Sequence, residues 1–157
     1  VGFELVSERP QKYSKRRIAE IQIFRAIKVL VDDHDPISAV TLAGAAEEIL
    51  GKKLKSLGKR NALDHSITYD EQMWAFIKKH SARKGVTVSV PDQDAMLRKA
   101  NFVRNELKHN GANRPVVALY EYEAENMIIR AVNNYLLLYQ KPPPQKRVIA
   151  WYEQMSL

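Results

Sequence analysis

No cysteine occurs in this chain of 157 residues, so disulfides, thiolate metal centres and cysteine nucleophiles are all excluded at once. Long apolar runs are missing too. A stretch such as Tyr135 to Tyr139 falls far short of the ~20 residues that a membrane-spanning helix requires. The segment from Val1 to Pro10 lacks the basic-then-apolar pattern of a secretory leader. The expectation is a cytoplasmic protein with no membrane partner. Acidic residues are the minority charge, 18 against 25 Lys and Arg, for a formal net charge of +7. The basic residues gather at Lys52, Lys53, Lys55, Lys59 and Arg60, and again at Lys78, Lys79, Arg83 and Lys84. Such an excess suits a polyanionic partner, and it also serves solubility alone.

What is present is a globular composition, 45% apolar and 27% charged, in a length that fits one domain over residues 1–157. Residues 1–14 form an N-terminal extension. Ile18, Ile21, Phe24, Ile27 and Val31 recur at spacings of three and four and predict a helix from about Lys15 to Val31. Asp35 before Pro36 starts a second helix, since Asp caps free amides and Pro fits the first turn. It is expected to run to Leu50, with Gly51 as its stop. Ala43-Gly44-Ala45-Ala46 gives this helix a small surface that another helix backbone can approach. Gly44 has neither a preceding strand nor a second glycine at the spacing of a phosphate loop.

Lys52 to Ser66 reads as a basic connector. Tyr69, Met73, Phe76 and Ile77 then define a third helix ending near His80, and Thr87 to Val90 reads as an extended loop. A fourth helix begins near Pro91-Asp92, carries Met96, Ala100, Val103 and Leu107 on its buried side, and closes at Gly111. After Asn113 and a turn at Pro115, a long last helix is expected through Leu119 and Ile128 to Tyr139. Pro142-Pro143-Pro144 stops it. The apolar tail over residues 142–157, with Val148, Ile149, Trp151 and Tyr152, should dock on its own domain or on a partner subunit. The expected fold is therefore all-α, a bundle of about five helices.

Winding the fourth helix at about 100° per residue separates two faces. Opposite the apolar stripe, Arg104, Lys108, Asn101, Asn105 and His109 follow in that angular order over an arc of about 140°, with no carboxylate among them. A solvated helix would ordinarily mix Glu with Lys at these spacings. Two amides, a guanidinium, an ammonium and an imidazole suit a phosphate better than a metal ion.

The hexapeptide Arg104-Asn105-Glu106-Leu107-Lys108-His109 resembles the signature of HEPN domains, an Arg and a His separated by four to six residues, often with Asn directly after the Arg. The Leu42 to Leu50 segment is also similar to small bacterial members. The resemblance covers Ile18 to Tyr139 in architecture. It implies a HEPN-like bundle forming a two-fold homodimer. It further implies a metal-independent, cofactor-free endoribonuclease of toxin or defence type, whose composite site lies at the dimer interface. The implied alternative is a non-catalytic HEPN-like binding or dimerisation module, paired with an antitoxin protein or a nucleotidyltransferase.

RNA cleavage without a metal needs a base for the 2′-hydroxyl, an acid for the leaving oxygen and a cation for the phosphorane. One chain offers one imidazole on this face, and two copies across a two-fold axis offer two. The roles assigned are acid or base for His109, phosphate neutralisation for Arg104, orientation for Asn105, and RNA binding for Lys108 and Asn101. The product would be a 2′,3′-cyclic phosphate. Arg104 also has a plainer reading as the partner of an acid on a neighbouring helix, and His109 as a cap of its helix end.

Other candidates are weaker. Asp32-Asp33-His34-Asp35 has metal-ligand chemistry, but consecutive side chains diverge, and helix ending and capping account for it. His65 beside Asp64 lacks a nucleophilic Ser in a strained turn. His80 reads as a surface residue. Tyr69, Trp74, Tyr120 and Tyr122 would stack on bases in an RNA reader, but at helical spacing they read as core or interface.

Overall fold

The structure, a computed structural model, describes residues 10–108 and 116–156. Six helices and no strand occur among them: α1 Lys15–Asp33, α2 Pro36–Ser56, α3 Ala62–Ala82, α4 Gln93–Lys108, α5 Glu121–Tyr139 and α6 Lys146–Met155. None is long and apolar enough to cross a membrane. The fold is all-α.

Local chemistry sets the first two helices. Ser14 accepts a hydrogen bond from the Arg17 amide at 3.1 Å to open α1. His34 ends that helix in the left-handed region, at φ 50°. Asp35 then accepts from the Ser38 amide at 3.0 Å, with Pro36 in the first turn of α2. Asp32 instead pairs with Arg147 of α6. Among the described residues no group of three or more His, Asp or Glu side chains is placed to hold a metal.

The core is built where α2 packs against α1 and α5. Ala19 and Ala26 of α1, Ala39, Ala43 and Ala46 of α2, and Ala124 and Ala131 of α5 are fully buried. Their small side chains let the three helices approach closely. Ile23, Ile27, Leu50, Ile128 and Tyr135 fill the remaining space. Each buried aliphatic side chain contributes about 1.5–3 kcal/mol of transfer free energy. The α4 helix adds Val103 to this cluster, and Met96 is buried on the same face.

Several boundaries differ from those the sequence predicts. Gly51 does not stop α2, which continues to Ser56. A Cβ at position 51 would stand 3.3 Å from Asn61 Nδ2 and 3.4 Å from Asn134 Nδ2, so this glycine serves close approach within a helix. The expected connector, Lys52 to Ser66, is instead mostly helical, belonging to α2 as far as Ser56 and to α3 from Ala62. Asn61 and Asp64 form a reciprocal capping box, Asn61 Oδ1 accepting from the Asp64 amide and Asp64 Oδ2 from the Asn61 amide. Buried Asn134 ties both ends together, accepting from the Ala62 amide at 2.7 Å and donating to the Glu47 carbonyl at 3.2 Å.

The last long helix starts at Glu121 rather than near Pro115, because the Glu123 carboxylate takes the Tyr120 amide and leaves Leu119 outside. Residues 116–120 have no regular structure, and neither do residues 86–92, which include the expected loop from Thr87 to Val90. The tail supplies the sixth helix. It packs on α1 of its own chain through buried Val148 and the Arg147 to Asp32 contact, and Tyr152 bonds Asn133 of α5 at 2.5 Å.

Candidate functional site

Arg104 lies on the edge of the cationic arc nearest the buried stripe, and its side chain turns across α2 instead of into solvent. Nη1 donates to Glu47 Oε2 at 2.9 Å, and only 17% of the side chain is exposed. Gly44 makes the route passable. A Cβ there would stand 2.8 Å from Arg104 Cδ and 3.1 Å from Cγ. Gly44, Glu47 and Glu48 are three and four residues apart, so one face of α2 carries both the gap and the two acids.

Glu47 is 5% exposed at its side chain and serves two cations at once. Arg130 of α5 donates through Nη2 to Glu47 Oε1 at 2.8 Å and to Asn101 Oδ1 at 3.1 Å, and through Nη1 to the Ala100 carbonyl at 2.9 Å. A lone buried carboxylate would be costly, and the two guanidiniums offset that cost. The centre keeps a surplus of one positive charge. The Nε atoms of both arginines are buried without a hydrogen-bond partner among the described residues. Arg104 Nη2 makes no contact with an acceptor there either, and it is not among the buried unpartnered atoms.

Lys108, the last residue of α4, reaches Glu48 at 3.1 Å, and Lys52 reaches the same carboxylate at 2.7 Å. Hydrogen bonds from Lys52 and then Lys108 lower the Glu48 carboxyl from 4.5 to about 2. Asn105 is exposed, and Asn101 is half-buried with its carbonyl taken by Arg130. The face thus has no acid of its own, but α2 supplies two. His109 lies outside the described residues, as do Gly111, Asn113 and Pro115. Comparison with protein-family models, with curated proteins and with solved structures finds no match.

Beside the Glu47 centre a cavity of about 860 Å³ opens between α3, α4 and α5, with Arg104 itself on its wall. Trp74, Met96, Val103 and Leu136 line it together with His65, Lys99 and Arg130. Trp74 is half-buried there, whereas Tyr69 on α3 and the stacked pair Tyr120 and Tyr122, with centroids 5.6 Å apart, are exposed. These three tyrosines are not core residues of this chain. His80 is exposed, its Nδ1 3.0 Å from the Phe76 carbonyl.

A second polar centre ties α1 to α5. Tyr135, fully buried, donates to Glu20 Oε1 at 2.7 Å and accepts from Arg16 Nη2 at 2.6 Å. Burial first, and the neighbouring Glu20 second, push the Tyr135 hydroxyl up to about 12. Burial works against charge on Glu20, yet hydrogen bonds from Tyr135, Arg16 and Arg17 hold its carboxyl below the usual value. Arg16 also covers the Tyr139 ring, 4.4 Å from its centroid.

The sequence reading missed Glu47, Arg130 and the service of Gly44 to Arg104. One signal was legible: Glu47 falls among Ala43, Ala46 and Leu50 on the apolar side of α2, where an acid requires a cation from another helix.

Proposed function

We propose that this chain is a HEPN-type, metal-independent endoribonuclease of toxin or defence type, working as a two-fold homodimer. The observation that carries the reading is the placement of Arg104. Glu47 anchors one edge of its guanidinium, Nη2 has no acceptor among the described residues, and the same helix carries Asn105 and then Lys108, the residue before His109 in sequence. A guanidinium fixed in this way meets a phosphate without first losing side-chain freedom.

In the proposed reaction the 2′-oxygen of the substrate attacks the adjacent phosphorus as its proton passes to one His109. The 5′-oxygen leaves with a proton from the His109 of the second subunit, and Arg104 offsets the charge on the phosphorane. The products are a 2′,3′-cyclic phosphate and a free 5′-hydroxyl. The test is cleavage of a broad RNA panel in the presence of a chelator. His109→Ala should abolish cleavage, and Arg104→Lys, which keeps the charge and loses the fork, should lower it by orders of magnitude without unfolding the chain. An inactive wild type, a monomer in solution, or full activity in His109→Ala would each overturn the reading.

The same Glu47 contact favours a second reading, a non-catalytic HEPN-like module in which Arg104 only joins α4 to α2. In that case an antitoxin or nucleotidyltransferase partner would still bind the His109→Ala chain, and RNA would be recovered intact.

A further inference from the structure

Where the end of α2 meets the start of α1, the last residue of α4 and Tyr139 of α5, the surface forms a groove of about 710 Å³. Five cationic side chains line it, Lys15, Arg16, Lys52, Lys53 and Lys108, against the single carboxylate of Glu48. That carboxylate is already held between Lys52 and Lys108. Arg16 is turned onto Glu20 and the Tyr139 ring. Lys15 and Lys53, both exposed, have no ion-pair partner among the described residues. The groove therefore carries net positive charge that no acid among the described residues offsets.

We infer that this groove binds the phosphodiester backbone of single-stranded RNA and leads it to the α4 face. The inference rests on the nuclease reading for its direction, because Lys108 belongs to both places and stands one residue before His109. A strand carrying one charge per nucleotide matches a row of ammonium groups without base recognition, and each phosphate neutralised releases condensed counterions. An acidic protein surface has similar charge, but nothing about it requires a groove that ends at Lys108 of the α4 face.

Binding of a short labelled strand of 2′-O-methyl RNA, which lacks the attacking hydroxyl, tests this by fluorescence anisotropy between about 50 and 200 mM salt. The triple variant Lys15→Gln, Lys52→Gln and Lys53→Gln should weaken binding on the order of tenfold or more. It should also lower the slope of log affinity against log salt by about two, since each phosphate contact on a single strand contributes about 0.7. The control triple Lys78→Gln, Lys79→Gln and Lys84→Gln, in the last turns of α3 and the turn after it, removes equal charge and should leave affinity nearly unchanged. Equal weakening by both triples would reduce the effect to net charge and overturn the inference, as would displacement of the strand by polyglutamate at equal charge concentration. If wild type fails to cut RNA but the groove triple alone loses the strand, the groove stands without the nuclease. If wild type cuts and the groove triple binds normally, the groove fails and the nuclease reading stands.

Discussion

Gly44 and Arg104 are in direct contact across the α2 to α4 interface, the glycine Cα facing the middle of the arginine stem so closely that a methyl group would stand 2.8 Å from Cδ. The contact is not with a free chain end. Arg104 is held beyond that point by Glu47, so the stem cannot simply swing aside.

Gly44→Ala should therefore destabilise the protein by about 1–3 kcal/mol, as overpacking does, despite the ~1 kcal/mol by which alanine is the better helix former. In an Arg104→Ala background the obstacle is gone, and the same change should stabilise. Thermal denaturation of the four chains in this cycle reads the sign reversal. A destabilisation of equal size in both backgrounds would mean that Arg104 is not what Gly44 makes room for.

The acid limb of stability should carry the mark of Glu48. Its carboxyl is held at about 2 in the fold against 4.5 ordinarily. The folded value is the lower one, so this contribution is present above about pH 4.5 and is lost as the pH falls toward 2. With 37% of the side chain exposed, solvent and salt keep the effect small. Glu48→Gln should flatten the fall of Tm across that window and make it less sensitive to salt. A residual slope should remain from Glu20, whose carboxyl is also lowered. An unchanged acid limb would show that Lys52 and Lys108 do not hold Glu48 in solution.

How much of this was legible in the sequence follows from what is local. Asp35 and Pro36 act within a turn of where they stand, and the start of α2 could be read from them, as the extent of α1 could from the spacing of Ile18 to Val31. Gly51 and the join of α2 to α3 could not, because the residues that decide them, Asn61 and Asn134, reach the glycine from elsewhere in the chain. The α4 face shows the same division. Helical winding gives the angular order of Asn101, Arg104, Asn105 and Lys108, and it leaves Arg104 at the boundary of the buried side. Which way a boundary side chain turns was settled by an acid 57 positions earlier in sequence, and by the absence of a Cβ at Gly44.

Tyr135→Phe isolates the polar centre between α1 and α5. It removes a donor from buried Glu20 and an acceptor from Arg16, a loss of about 1–3 kcal/mol. In the wild type the folded value of about 12 lies above the ordinary 10, so the contribution of the neutral hydroxyl is complete below pH 10 and is lost as the pH rises through 12. Ultraviolet titration of folded wild type should show one of the seven tyrosines ionising last. That step should be missing in Tyr135→Phe. A variant as stable as wild type would mean that the hydroxyl adds nothing to the packing of the ring.

The docking of α6 sets two interactions of different kind side by side. Arg147 forms a close ion pair with Asp32, but both side chains are more than a third exposed, and such pairs contribute about 0–1 kcal/mol. Val148, the next residue, is fully buried in the main core cluster. Removing its two methyl groups withdraws about 1.6 kcal/mol of transfer free energy and leaves a void that adds to it. Val148→Ala should therefore lower stability by about 2 kcal/mol, while Arg147→Ala should change it by less than about 1 kcal/mol and lose even that in high salt. Denaturant melts of the two variants rank the terms. The reverse order would mean that α6 is held by its charges and that the buried valine merely follows.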